Sequence, residues 1–231
     1  MSRRAPGLDS VDRTTRIVLA TRSRHKLREL RELLDLGAAE LISLDDAGVP
    51  PGHEPEEDGT TFEANARIKA RCYARQTGLL TLADDSGIEV DALDGGPGVR
   101  TRRYAGTDAT DAANNAKLLV ALAGLPPERR GARYVCSLVL ADGRPGSRGS
   151  RGGIPILAES RGTVRGRIAT EPRGGGGFGY DPIFEPRTEP PGGRTFGLWT
   201  AAEKHRISHR AQAARRMAQR LHALGLGIHP G

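Results

Sequence analysis

LADDSGIEV, residues 82–90, is the stretch on which the fold turns. The apolar run Leu79-Leu80-Thr81-Leu82-Ala83 leads straight into two adjacent carboxylates, Asp84 and Asp85. Ser86 and Gly87 follow, and an alternating pattern resumes with Ile88 and Val90. Asp, Ser and Gly are the usual turn residues, so one reading ends a buried strand in a turn. The other reading is a magnesium site, because hard cations take carboxylate oxygens held on a rigid element. Taken alone, the segment favours the turn.

Outward from this strand, the chain reads as alternating strands and helices. RIVLAT (16–21) is a short buried strand, followed by a helix whose apolar stripe is Leu27, Leu30 and Leu34, with Gly37 as its stop. LISL (41–44) reads as a strand, and Thr60-Thr61-Phe62-Glu63 as a capping box in which Thr60 caps and Glu63 reaches back. That helix extends to about Gln76, with Phe62, Ala66, Ala70 and Tyr73 inward and Gly78 as the stop; Asn65 and Lys69, four apart, share a face. Asp108 is placed as the cap of a helix through Ala123 bearing Leu118, Leu119 and Leu122. RYVCSLVLA (133–141) and the segment from 155 to 169 read as strands, joined by a Gly/Arg/Ser hairpin tip at 143–153. There is no internal repeat. A polar extension, 1–15, precedes a single domain over 16–226.

Composition narrows the function. No apolar run is long enough to span a membrane, and the N-terminus has no stretch of signal-peptide type. Two distant cysteines, Cys72 and Cys136, point to a reduced cytoplasmic compartment without a disulfide framework. The net charge of +7 invites a nucleic-acid reading. Aromatics at 4% leave little to stack on successive bases, and residues 40–59 hold seven Asp or Glu and no Lys or Arg. A small phosphate-bearing ligand accounts for the basic excess equally well. Only four of the 35 basic residues are lysines: Lys26, Lys69, Lys117 and Lys204. A lysine kept against so strong a bias toward arginine points to a need for a compact point charge.

Three further stretches carry candidate chemistry. The joint TRSRHK sets Thr21, Ser23 and Lys26 around a helix N-terminus, where backbone N–H groups, hydroxyls and a lysine can cradle phosphate. It lacks the glycines of a P-loop, and a capped helix with a solvated basic first turn is the plainer alternative. GGGGFGYDPIF (174–184) is a loop free to move or to approach a ligand closely, presenting Phe178, Tyr180 and Asp181 to a planar, hydrogen-bonding ligand such as a base. The alternative is a glycine linker with Phe178 tucked into the core. TAAEKHRISHRAQA (200–213) holds a second capping box, Thr200 with Glu203, and Ser208 as cap of a last helix to Leu224. His209 and Arg210 fall in that helix's first turn, where the macrodipole disfavours cations by about 0.3–1 kcal/mol each at an exposed site. Their presence suits an anion or polar ligand; indifferent surface charge is the alternative.

Together, LATRSRHKLRELRELL, EDGTTFEANARIKA, LADDSGIEVDALDGGPGVRTRRYAG, GGFGYDPIF and AEKHRISHRAQA resemble the Ham1-type nucleoside triphosphate pyrophosphatases, in the family's order and spacing over most of residues 16–225. The resemblance implies an α/β fold: a mixed sheet flanked by helices, two lobes with the site in the cleft between them, and a homodimer. It implies Mg2+-dependent hydrolysis of ITP, dITP and XTP to the monophosphate and pyrophosphate, with no membrane and no specific nucleic acid as partner. By position, Asp85 matches the catalytic acid–base residue and a metal ligand, Asp84 stands beside it, and Glu57 matches the other acidic metal position. Thr21, Arg22, Ser23, Arg24, His25 and Lys26 match the phosphate-binding loop, Lys69 a phosphate-facing lysine, and Ser86 the substrate-binding segment. Phe178, Gly179, Tyr180, Asp181, Lys204, His209 and Arg210 match the base-recognition residues. The family's first motif usually reads T-G-N-x-x-K; here Arg22 stands for the small residue and Ser23 for the Asn. A Maf-type pyrophosphatase is the rival enzyme reading, which the GGFGYDP loop and the Ser208-His209-Arg210 run disfavour. A nucleotide sensor or nucleic-acid-binding protein is the non-enzyme alternative.

Overall fold

A computed structural model describes residues 15–34, 36, 39–147 and 152–226. The expected stop at Gly37, most of the extension 1–15 and the centre of the 143–153 tip lie outside them. Six strands, β1 (Arg16–Leu19), β2 (Glu40–Ile42), β3 (Leu80–Val90), β4 (Gly131–Asp142), β5 (Ile156–Ile168) and β6 (Phe184–Pro186), form one mixed sheet in the order β2-β1-β3-β4-β5-β6. β1 runs parallel to both β2 and β3, and from β3 to β6 each strand is antiparallel to its neighbour. Parallel pairs need long crossovers; α1 (Arg24–Leu33) and α2 (Phe62–Thr77) supply them.

Strand alternation sorts the core onto two faces. Leu80 and Leu82 pack with Leu30 of α1 and Met217 and Leu221 of α5 (His209–Ala223). Ala83, Val139 and Ala141 pack with Ala66, Ala70 and Tyr73 of α2 on the other face. Each leucine fully withdrawn from water contributes roughly 1.5–3 kcal/mol before the entropy of ordering it. A third cluster, around Ile88, Tyr134, Phe184 and Phe196, fills the far half of the sheet beside α3 (Asp111–Ala121). The long strands β3, β4 and β5 are shared by both halves, and residues 84–86 lie midway along β3.

The turn expected at Asp84–Gly87 does not form: β3 runs unbroken, with Asp84 opposite Leu138 and Asp85 opposite Ser137 on β4. Burial and pairing along eleven residues outweigh the local turn preference. Gly87 is needed here for a close approach instead. A Cβ on it would stand 2.3 Å from the Thr101 hydroxyl oxygen and 2.8 Å from the Phe62 ring. That hydroxyl accepts the Ile88 N–H at 2.9 Å.

Two caps differ by a residue or two from expectation. Thr61, not Thr60, caps α2 and accepts from the Ala64 N–H. Thr110, not Asp108, caps α3. Gly78 ends α2 at φ 65°, as its glycine suggested. The Thr200–Glu203 capping box opens α4 (Ala201–Ile207), and Ser208 caps α5.

Candidate active site

Asp84 and Asp85 leave β3 on opposite faces. Asp85 points toward α2, where its Oδ1 accepts from the Lys69 ammonium at 2.8 Å. The same ammonium reaches Glu57 Oε2 at 3.2 Å, so two carboxylates converge on one cation. Burial pushes the Asp85 carboxyl above its ordinary range; Lys69 and Lys26 pull against it. Lys69, though buried, stays above the usual lysine range, because Asp85 and Glu57 outweigh the cost of burial.

Asp84 faces α1 and α5 with no side-chain exposure. Its Oδ1 meets the Lys26 ammonium and accepts from the Ser86 hydroxyl at 3.1 Å. Its Oδ2 accepts from the Cys136 thiol at 3.1 Å and from Arg210 Nε at 3.2 Å. Burial opposes the charge on Asp84, but Lys26 and Arg210 hold its carboxyl well below the usual range. The expected pairing of Asp84 with Asp85 as joint metal ligands therefore finds Asp84 with both oxygens engaged.

The TRSRHK joint, expected to cradle phosphate, opens α1. Ser23 caps it, accepting from the Lys26 N–H, and the Thr21 hydroxyl accepts from the Ser23 N–H at 3.2 Å. Arg24 is exposed. Arg22 turns away to the acidic segment, donating to Glu54 and Asp45 at 2.7 Å each. His25 stacks on Phe178, ring centroids 5.2 Å apart, and so joins the start of α1 to the glycine loop.

Two glycines of the loop, Gly174 and Gly177, are required by contacts within the chain. A Cβ on Gly174 would lie 2.2 Å from the Gly197 carbonyl oxygen, and one on Gly177 would lie 2.0 Å from Asp181 Oδ2. Phe178 lies half-buried, with Lys204 Nζ 4.9 Å and the Arg210 guanidinium carbon 5.5 Å from its ring centroid. Gly179 is held by Asp111 and Asn115. Tyr180, expected to face a ligand, is buried instead and donates to the Thr101 carbonyl at 2.9 Å. Asp181 is buried too and accepts from Lys204 at 2.6 Å, the Phe178 N–H at 2.9 Å and the Tyr134 hydroxyl at 3.3 Å.

The first turn of α5 does not carry indifferent surface charge, the alternative reading of its sequence: His209 and Arg210 are both buried. His209 is enclosed and stacked on Tyr134 at 4.6 Å, with Nδ1 lacking a hydrogen-bond partner. Burial first, then Arg210 and Lys204, hold its pKa well below the ordinary histidine value, so it is neutral. Arg210 is neutralised by Asp84 and Glu29, and it also donates to Ser86 at 2.9 Å. The helix-dipole penalty is thus removed by deprotonation at one residue and by ion pairing at the other.

Glu29 is a site residue that the sequence reading missed. It accepts from Arg210 and, at 3.2 Å, from Lys204, tying α1 to the α4–α5 joint. Its one sequence signal is a place three residues after Lys26, on the same helical face. Its partners lie 175 and 181 residues away.

This geometry has a family counterpart. The Ham1 family model matches residues 17–220. The chain belongs to the Ham1 family. A dITP/XTP pyrophosphatase of Frankia alni is 47% identical over 88% of this chain and 95% of its own. One from Xanthomonas oryzae is 45% identical over 91% and 98%. Among solved structures, a HAM1 protein from Coxiella burnetii is 40% identical, with TM-score 0.76 over 90% of this chain and 99% of its own. The dITP/XTP pyrophosphatase of Mycobacterium abscessus is 42% identical, with TM-score 0.67 over 88% and 98%. The mixed sheet with flanking helices is the Ham1 fold.

The acidic groups of this Ham1 chain bear on a metal. Among the described residues, no three His, Cys, Asp or Glu side chains form a ready cage. Mg2+ commonly takes only one or two carboxylates and completes its shell with water and substrate phosphate. Glu57 and Asp85, both drawn to one ammonium, fit that requirement. Asp84 does not, because four donors already surround it.

Proposed function

We propose that this protein hydrolyses deaminated purine nucleoside triphosphates, ITP, dITP and XTP, to the monophosphate and pyrophosphate, with Mg2+ as cofactor. The observation that carries the reading is the convergence of Glu57 and Asp85 on Lys69. The named activity of the Frankia and Xanthomonas relatives supports it. In the reaction, a water oxygen forms a new P–O bond, the α–β anhydride bond breaks, and pyrophosphate leaves. Asp85 orients that water and accepts its proton, a role suited to a carboxyl whose affinity for protons burial has raised. Lys26 and Lys69 stabilise the charge growing on the phosphates. Bound Mg2+, held by Glu57 and Asp85, would neutralise phosphate charge.

At the other end of the substrate, Phe178 offers a stacking face, and Lys204 and Arg210 offer donors. Each keeps N–H groups beyond those already bonded: an ammonium has three and a guanidinium five. Hypoxanthine presents a carbonyl acceptor at position 6 where adenine presents a donor, so this donor set favours the deaminated base. Thr21, Ser23 and the backbone at the start of α1 complete the phosphate side.

The reading takes residues 16–226 as one working unit with 1–15 as an extension, and the protein as a cytoplasmic homodimer. No helix among the described residues is long and apolar enough to cross a membrane. Both cysteines are free, which suits a reducing compartment. Pyrophosphate release from ITP, dITP, XTP and the four ordinary triphosphates, with and without Mg2+, tests the reading. Metal-dependent release that favours the deaminated purines is the expected result. No release from ITP or XTP overturns it.

A further inference from the structure

Arg22 lies inside the phosphate loop, between Thr21 and Ser23, yet its guanidinium is committed elsewhere. Nε donates to Glu54 Oε1 at 2.7 Å and one terminal nitrogen to Asp45 Oδ1 at 2.7 Å. The other terminal nitrogen reaches the carbonyls of Val49 at 3.0 Å and Pro50 at 2.7 Å. One fork thus gathers both ends of segment 45–54. Beyond it, residues 53–59 form neither helix nor strand, and Glu57 sits among them. The downstream anchor is the Gly59 N–H, bonded to the Asn65 side-chain oxygen at 2.8 Å. Glu57 therefore lies between two tethers, three residues after Glu54 and two before Gly59.

We propose that Arg22 is a positioning residue: it straps the Glu57-bearing loop to the phosphate loop, so that the acidic and phosphate sides of the site form one body. What the strap serves rests on the function proposed above; the strap itself does not. Arg suits this task and Lys does not, because a planar fork reaches four acceptors in fixed directions whereas an ammonium is a single point. Partly exposed ion pairs add little to global stability. A loop without secondary structure opens locally at low cost. Loss of Arg22 therefore acts on the loop, not on the fold.

Hydrogen exchange on the ligand-free protein reads the strap directly. In Arg22→Ala, the hydrogen-bonded amides of Gly48, Val49 and Gly59, on either side of the strapped loop, exchange about 10-fold faster or more, while those of β3 and β4 are unchanged. Asp45→Asn combined with Glu54→Gln attacks the strap from its exposed end and gives the same result with Arg22 intact. Arg22→Lys falls between wild type and Arg22→Ala. In turnover, the Mg2+ concentration for half-maximal rate rises about fivefold, while KM for ITP at saturating Mg2+ stays within about twofold. Unchanged exchange at Gly48, Val49 and Gly59 in the Asp45/Glu54 variant overturns the proposal, even where Arg22→Ala fails to fold. So does a rise in KM for ITP with the Mg2+ requirement unchanged, which would make Arg22 a phosphate ligand. Should the wild-type protein release no pyrophosphate, the functional reading fails, and the exchange result still decides the strap.

Discussion

Asp84 and Asp85 are neighbours in the chain and face opposite sides of β3, Asp84 toward Lys26 and Arg210, Asp85 toward Lys69 and Glu57. Their consequences when altered separate accordingly. Asp85→Asn keeps shape, leaves Lys69 paired with Glu57 and removes the charge proposed to orient the water, so turnover falls about 100-fold or more while folding survives. Asp84→Asn takes the charge that Lys26 meets and leaves Arg210 with Glu29 alone, and stability falls by about 3–5 kcal/mol. Urea unfolding and pyrophosphate release measured on both variants decide the matter. Equal effects on stability would contradict the division of labour.

The proposed function sets Lys69 against the triphosphate and not the base. Lys69→Ala therefore weakens ITP and ATP hydrolysis alike and leaves the ratio of their kcat/KM values largely unchanged. Collapse of that ratio would assign Lys69 to base recognition.

The proposed function assigns discrimination between inosine and adenosine to the donors. Arg210 also holds Asp84 and Glu29, so truncation to Ala would unbalance the buried network as well as the base contact. Arg210→Lys keeps the charge and loses the planar fork. An unpaired buried polar group costs about 1–3 kcal/mol, so ITP-over-ATP selectivity in kcat/KM falls about 10-fold. Phe178→Ala weakens both nucleotides equally, since both purines offer the same π-face. Selectivity lost in Phe178→Ala and kept in Arg210→Lys would refute donor readout.

How much of this was legible follows the range of each interaction. The apolar stripes of α1 and α2, the stop at Gly78 and the Thr200–Glu203 box are local patterns, and they form as the chain suggests. Three of the four lysines kept against the arginine bias also fall together: Lys26, Lys69 and Lys204 each meet a buried carboxylate, whereas Lys117 donates to the Tyr104 carbonyl. The readings that failed depend on partners remote in sequence. β3 continues through two aspartates because Lys26, Lys69 and Arg210 arrive from three helices to neutralise them. Tyr180 leaves the proposed base site because Thr101, 79 residues away, offers it a carbonyl. Glycines at 174 and 177 suggested freedom of motion, yet they make room for Gly197 and Asp181.

Glu29 supplies a pH test of the network that joins α1 to α5. Burial works to raise its pKa, but Arg210 and Lys204 together outweigh burial, and the carboxyl lies below its ordinary 4.5. A carboxyl depressed on folding stabilises the native state above the unfolded pKa. That contribution is lost as pH falls through the folded value. Glu29→Gln removes the charge at every pH, leaving Arg210 with Asp84 and Lys204 with Asp181. The stability gap between wild type and Glu29→Gln is therefore full near pH 7, begins to shrink below about 4.5, and closes further at still lower pH. Urea unfolding of both proteins from pH 7 down to pH 3 measures the gap. A gap that stays constant across that range would mean that the Glu29 charge contributes nothing, and that only the shape of its side chain matters to the joint.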